Sequence, residues 1–386
     1  MIYLDNSATT FAIPEVREKM ADALSVHFGN PSSLHNMGME GEDFLKESRK
    51  IIAGTLKCKE KEILFTSGGT ESNNLALIGG CDAAKRKGMH ILTTPIEHAS
   101  VAEPIKHLAD LGYETEYLRV DGEGFVDLDD LREKLKSDTI MVSVMAVNNE
   151  IGTIEPITEI ASIIKNHNKN GGSALFHVDA IQAYGKIPVN LKDGIDLLSV
   201  SGHKFHGPKG SGFLYVREGV KVNPIIFGGG QETGKRSGTE NVPAIAGLGV
   251  ACKMAIESLE DNMINMREIK KGFKNELANI EGVSFNGPKD DEKLAPHILS
   301  VSVKGVRAEV LLHALEDKEI FVSAGSACSS NKPQTSKTLL AIDLDRSLLD
   351  STIRVSLSRF NTKEELEKAA KAFAEIVPAL QKYSRH

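Results

Sequence analysis

Only four cysteines occur in this chain, Cys58, Cys81, Cys252 and Cys328. They have neither Cys-x-x-Cys spacing nor the density of a disulfide scaffold, so any chemistry they do is done singly. Positive charge is not in excess: 46 Lys and Arg stand against 53 Asp and Glu, a net charge of -7. That balance gives no footprint for direct nucleic-acid binding. No apolar run approaches the roughly 18 residues that a membrane span needs. The start, Met1 to Asp5, carries no basic or apolar leader. The expectation is a cytosolic protein without a membrane partner. Internal repeats and low-complexity tracts are lacking too. What is there is 386 residues, 41% hydrophobic and 26% charged, enough for one large core plus a second, smaller domain.

Taken in order, residues 1–13 read as extended. Pro14 opens a helix that Gly29 ends, Asn30 to Ser33 form a turn, and a second helix runs from about Gly41 to Leu56. Apolar strands and helices then alternate: strands near 62–66, Ile91 to Thr94, Thr115 to Val120, Ile140 to Val147, Ala174 to Ala180, Ile195 to Val200 and Gly212 to Val216. That order predicts a mainly parallel sheet with helices packed on it. Beyond a glycine-rich loop at 227–241, read as lying near the site or at a subunit contact, one long helix from about Val242 into the 255–280 region links to a second domain. There the pattern changes to strands near His297 to Val303 and Ile353 to Leu357, a short helix from Ala308 to Leu315, and a last helix capped by Thr362 and Glu365.

Ligands of open α/β sheets bind beyond the carboxyl ends of the strands, so polar residues at those ends draw attention. Lys204 follows the strand ending at Val200, flanked by Ser201 and His203. An amine there suits Schiff-base chemistry with an aldehyde cofactor, against the bland alternative of a solvated lysine. The stretch Thr66 to Asn74 reads as strand, glycine turn and helix start, an anion site with Ser67, Gly69 and Thr70; without a Gly-Lys-Ser/Thr sequence it suits a monophosphate better than ATP. A plain turn capped by Thr70 is the alternative. His98 sits at a strand end where an imidazole stacks on a flat ring or exchanges protons, or is structural. Asn149 ends another strand. Asp179, ending a buried strand, needs a cation or strong donor, a pyridinium nitrogen or a structural ion pair, with Gln182 in reach of the same ligand.

Cys58, Cys81 and Cys252 read as small buried hydrophobes. Cys328 lies among small polar residues, Val322 to Ser336, where a thiolate is free to react. Arg354, on a later strand, offers a fork for a carboxylate or makes an ordinary ion pair.

Seven motifs stand in order along nearly the whole chain: YLDNSATT (3–10), TSGGTESNN (66–74), NNEIGT (148–153), HVDA (177–180), SGHKFH (201–206), RSGT (236–239) and GSAC (325–328). Together they resemble the NifS/IscS-type cysteine desulfurases of the class V aminotransferase group. The resemblance implies an α/β fold like aspartate aminotransferase (pyridoxal-phosphate fold type I). A large mainly parallel domain would span 15–255, and a smaller α+β domain, 1–14 with 256–386, would carry the cysteine loop at about 323–337. It implies a homodimer using pyridoxal 5'-phosphate, with Lys204 as the Schiff-base lysine. Gly69, Thr70, Ser201 and His203 would hold the phosphate, joined by Thr239 of the neighbouring subunit. Asp179 would pair with the ring nitrogen, Gln182 and Asn149 contact the ring oxygen or substrate, and His98 stack on the ring. Arg354 would take the carboxylate of L-cysteine.

The implied reaction moves the sulfur of L-cysteine to Cys328 as a persulfide and releases alanine. The acceptor is left between an iron–sulfur scaffold protein and a tRNA-thiolating enzyme. No metal site is expected beyond Cys328 as a transient iron–sulfur ligand. Selenocysteine or cysteine lyase chemistry on the same cofactor, and a non-catalytic sulfur-carrier subunit, are the alternatives.

Overall fold

The computed structural model describes residues 1–324 and 335–383. Seven strands form the main sheet in the order Ile63–Thr66, Gly212–Val216, Leu197–Ser201, Leu175–Asp179, Thr139–Met145, His90–Thr93 and Glu114–Tyr117. All run parallel except Gly212–Val216, which pairs antiparallel with both neighbours. The central strands are buried along their whole length, as sheets covered on both faces require, and this is why they read as continuous apolar runs rather than alternating ones. Parallel strands all end on one edge, so the residues following Thr93, Met145, Asp179 and Ser201 meet there.

A second sheet of four antiparallel strands, ordered Ser323–Ala324, Thr352–Ser356, Ile298–Val303 and Val283–Asn286, has its own core. That core takes Leu4 from the amino terminus together with Met266, Phe273, Val301, Leu311, Ile353 and Phe373. Ile2–Tyr3 pairs in parallel with Ile320–Phe321, so the first residues of the chain belong physically to this later layer. The Thr362 and Glu365 cap is present, each side chain bonding the other's backbone N–H at 3.2 Å.

Three expectations need correction. The long helix after Val242 is two, Val242–Glu257 and Leu259–Leu277, bent by 69° at Ser258. The first buries Ile245, Leu248, Ala251 and Cys252 in the main core and the second buries Met266, Ile269 and Phe273 in the other; a straight rod cannot serve both. Among the described residues no single helix is long and apolar enough to cross a membrane. The first helix stops at Ser25, not near Gly29, and the second begins at Asn36, capped by the His35 ring accepting from Gly38 N at 3.2 Å. Gly29 is there for contact instead: a Cβ on it would lie 1.9 Å from the Met37 carbonyl oxygen.

Candidate active site

The sheet edge holds a cavity of about 240 Å³ lined by Ser7, Gly69, Thr70, His98, Asn149, Asp179, Gln182, Ser201, His203, Lys204 and Arg354, with Ser100, Met145, Val147 and Ile181. Ten of the sequence candidates therefore come together. Thr239 does not: it is exposed and outside this cavity. Cys328 lies outside the described residues, as do residues 325–334 of the expected loop.

Asp179 is the last residue of its strand and is 4% exposed. Its Oδ2 accepts from Asn73 Nδ2 at 2.8 Å and its Oδ1 from the Ile181 amide at 2.9 Å. Among the described residues it has no salt-bridge partner, so an amide and a backbone N–H supply the strong donors. Burial raises its pKa, while these bonds and the nearby His98 and Lys204 pull it down. Two hydrogen bonds to a carboxylate are each worth about 1.5–3 kcal/mol, which keeps the charged form within reach inside the protein.

Asn73 Nδ2 also donates to Ser100 Oγ at 2.9 Å, and Ser100 Oγ meets His98 Nδ1 at 2.8 Å. His98 caps the helix Ala99–Asp110 by accepting the Ser100 amide on Nδ1 at 3.1 Å. An accepting Nδ1 places the ring proton on Nε2 in the neutral form. Burial lowers the His98 pKa against the pull of the Asp179 charge, which favours the neutral imidazole in the residue that lines the cavity. The sequence reading missed Asn73 and Ser100. Their signal was present, for both are polar residues on buried turns of helices that open at the sheet edge.

Lys204 ends the short turn Gly202–Lys204 beyond the strand Leu197–Ser201. Its Nζ donates to the carbonyls of Ser7 at 2.7 Å and Ala8 at 2.9 Å. The amino-terminal segment is laid across this turn: Thr10 N and Oγ1 both reach His203 O at 2.9 Å, and His203 Nδ1 meets Thr9 Oγ1 at 3.1 Å. That gives YLDNSATT a physical purpose the sequence did not reveal. Burial, with Lys204, Lys209 and Lys186 nearby, lowers the His203 pKa to about 4.

The anion corner is made by the helical run starting at Gly69, with Thr70 exposed to the cavity and Ser201 and His203 opposite. A Cβ on Gly69 would sit 2.2 Å from Ile181 Cδ1, so a larger residue there requires the Ile181 side chain to turn aside. Arg236 Nε on the glycine-rich loop donates to Glu71 Oε1 at 2.8 Å, tying that loop to the same helix start.

Arg354 is 3% exposed. It donates to Asp5 Oδ1 at 2.9 Å and to the Asn149 carbonyl at 2.8 Å, and its buried Nε has no partner among the described residues. It is ion-paired, but not as a surface pair, and it faces the cavity. Gln182 is committed at both ends, Nε2 to Ser7 O at 2.9 Å and Oε1 from Lys186 Nζ at 2.8 Å. Among the described residues no group of three His, Cys, Asp or Glu side chains is placed to hold a metal. A pocket with a strand-end amine, a buried carboxylate, a neutral imidazole, an anion corner and a guanidinium is equipped to bind a phosphorylated aldehyde and an amino acid.

The sequence profile described as aminotransferase class-V matches residues 2–369. The chain belongs to the class-V aminotransferase family. Within it, the chain is similar to a protein of Dictyoglomus turgidum named cysteine desulfurase IscS, 44% identical over 99% of this chain and 96% of that one. It is also similar to a protein of Bacillus subtilis named putative cysteine desulfurase IscS 1, 43% identical over 98% and 99%. A solved NifS-like protein superimposes with a TM-score of 0.92 at 39% identity, covering 98% of this chain and 99% of that one. The apo cysteine desulfurase of Thermococcus onnurineus gives 0.87 at 29% identity, over 98% and 95%. These class-V relatives share the fold and the length of the chain.

Proposed function

We propose that this class-V enzyme is a pyridoxal-phosphate-dependent cysteine desulfurase, converting L-cysteine to L-alanine. The observation that carries the reading is the meeting of Lys204, Asp179, His98 and Arg354 around one cavity at the carboxyl edge of the sheet. The residues fit the cofactor. Gly69, Thr70, Ser201 and His203 would hold its phosphate, Asp179 would pair with its ring nitrogen, His98 would stack on the ring, and Lys204 would bear it. When bound, the cofactor supplies an aldehyde for amines to condense with and a ring that takes up electrons released from the substrate.

The protein's part is binding and proton traffic. Arg354, already fixed by Asp5, would hold the substrate carboxylate through the face turned to the cavity, with Asn149 beside it. Lys204 Nζ, released from the Ser7 and Ala8 carbonyls, takes the proton from the substrate α-carbon and returns one to the product. Asp179, clamped by Asn73 and the Ile181 amide, would offer its carboxylate to the ring nitrogen, whose positive charge would favour the ionised form. Neutral His98 can give its Nε2 proton to a leaving or developing anion. The Cys328 thiolate would take the substrate sulfur as a persulfide and pass it to an acceptor protein of iron–sulfur assembly or tRNA thiolation.

The same proposal divides the chain into a large domain at 15–255 and a smaller one at 1–14 with 256–386, supported by a core around Leu4, Val301 and Phe373 that is separate from the cores on the main sheet. It includes a homodimer in which Thr239 of the partner completes the phosphate site, in keeping with the exposure of Thr239 here. It also includes a cytoplasmic setting, which suits the free thiols of Cys58, Cys81 and Cys252.

The experiment is alanine and sulfide release from L-cysteine with a reductant, for the wild type and Cys328→Ala. Activity in the first and loss of sulfide in the second support the reading. Equal sulfide from both would move the assignment to a lyase, which L-selenocysteine as substrate then tests.

A further inference from the structure

Behind Gln182 lies a second amine that the reaction above does not use. Residues after Asp179 wind in turns, with Tyr184 N bonding to Ala180 O at 2.8 Å and Ile187 N to Ala183 O at 3.0 Å. Gln182 and Lys186, four apart, therefore stack on one side. Lys186 is only 6% exposed, and among the described residues Gln182 Oε1, at 2.8 Å, is its one hydrogen-bond acceptor. Among the described residues no carboxylate pairs with it. The ionisable groups facing it are bases: Lys204 and Arg354 from the pocket, and His203, His206 and His297 from the elements packed around it. Burial, then Lys204 and Arg354, hold the amine well below the usual lysine range; a neutral amine can donate or accept, and with Nε2 taken by the Ser7 carbonyl it donates to Oε1.

We propose that Lys186 is a positioning residue for the reaction: acting through Gln182, it works with the Ser7 carbonyl to hold that amide with one end toward the pocket. A glutamine amide fits its site either way round, and only its partners choose. Lys186 Nζ donates, so it takes Oε1. The Ser7 carbonyl accepts, so it takes Nε2. Nε2 carries two hydrogens, one used by Ser7 at 2.9 Å; the other is free for an acceptor in the cavity that Gln182 lines. This inference rests on the desulfurase reading, in which that acceptor is the anionic oxygen on the cofactor ring. The Ser7 carbonyl also receives Lys204 Nζ at 2.7 Å, so a turned amide would set oxygen against oxygen beside the reacting lysine.

The test uses holoenzyme without substrate and reads the pH midpoint of the bound cofactor's visible absorbance change, together with the melting temperature of the apo-protein. A donor facing the ring oxygen favours its anion and lowers the midpoint. Lys186→Met is expected to raise it by about one pH unit. Gln182→Leu should raise it by a similar amount, and the double variant no further than the larger single, with melting changed by a few degrees at most. An unmoved midpoint with a lowered melting temperature, or single shifts that add in the double variant, overturns the proposal. If methionine is not tolerated, Lys186→Gln carries the test with an amide donor: a wild-type midpoint supports the donor role, and a midpoint displaced as far as in Gln182→Leu overturns it. Wild-type protein that binds the cofactor but releases no alanine sinks the desulfurase reading while leaving the midpoint comparison to decide Lys186.

Discussion

The wall of the pocket that carries Asp179 and the wall that carries Lys204 are both buried, yet they are held in opposite ways. Under Asp179 lie two further carboxyls, Glu97 and Glu155, fed by N–H and O–H donors: Met145 N at 2.8 Å and Thr94 Oγ1 at 2.9 Å for Glu97, Val126 N at 3.0 Å for Glu155. Around Lys204 the groups are basic, Lys186, His203 and His206, and no carboxylate among the described residues pairs with them; carbonyls and hydroxyls take their protons instead. Desolvation drives both walls toward neutrality, Glu97 up to about 8 and His206 down to about 4. Counting ionisable side chains therefore misjudges the field in the cavity. Asp179 has Asn73 and the Ile181 amide to offset its burial, and Arg354 has Asp5.

The largest effects test that division directly. Lys204→Ala removes the only amine, among the described residues, that lines the cavity at a strand end, and alanine release should fall by about 10³-fold or more. Retained turnover would mean that another base does the work, His98 and His203 also lining the cavity. Asp179→Ala should also cost at least about 10²-fold, through loss of charge opposite the ring. Asn73→Ala is the sharper probe of how the acidic wall is held. It leaves the Asp179 carboxylate but strips one of its two donors, so about 1.5–3 kcal/mol of stability should go in chemical denaturation, with activity falling less than in Asp179→Ala. Equal losses in the two variants would show that the amide, not the carboxylate, matters.

The sequence made the strand ends of both walls legible, but not the buried Glu97 and Glu155 behind Asp179. Asp179, His98, Asn149 and Lys204 stand at ends of apolar runs, and a parallel sheet brings such ends together whatever the loops do. Gln182 was found for the same reason. Ser7, Asp5 and Lys186 were not given roles, because their positions depend on long-range docking: Ser7 N meets Ser356 Oγ at 2.9 Å across 349 positions, and nothing local announces that. The bend at Ser258 was missed for a related reason. Helical periodicity continues through it, and only the existence of two cores to be covered breaks the rod.

Glu97 gives a smaller and pH-dependent effect. Its folded pKa is raised from the ordinary 4.5 to about 8, burial first and Asp179 second. Between those values the folded state binds a proton that the unfolded state has lost, so this group makes stability fall as pH rises through that window, by at most about 1.4 kcal/mol per unit. Glu97→Gln keeps an acceptor for Thr94 and Met145 and cannot ionise. Its melting temperature should therefore decline less than the wild type's between about pH 5 and pH 8, the remaining slope belonging in part to Glu155, whose pKa is raised too. Parallel curves for the two proteins would show that Glu97 is charged when folded, and that the acidic wall carries more negative charge than its burial suggests.

The smallest expected effect extends the same rule to sulfur. Desolvation pushes the thiols of Cys58 and Cys252 up to about 12 and raises that of Cys81 as well, so near pH 7 almost none of each is thiolate, the form that attacks sulfur. None of the three lines the cavity. Cys58→Ser, the half-buried one, should leave alanine and sulfide release within about twofold of wild type, and Cys81→Ala and Cys252→Ala should change melting before they change turnover. A tenfold loss of sulfide release in Cys58→Ser with melting unchanged would place a second sulfur relay in the main core, and would mean that burial there does not silence a nucleophile as it silences the carboxyls and imidazoles on either side of the pocket.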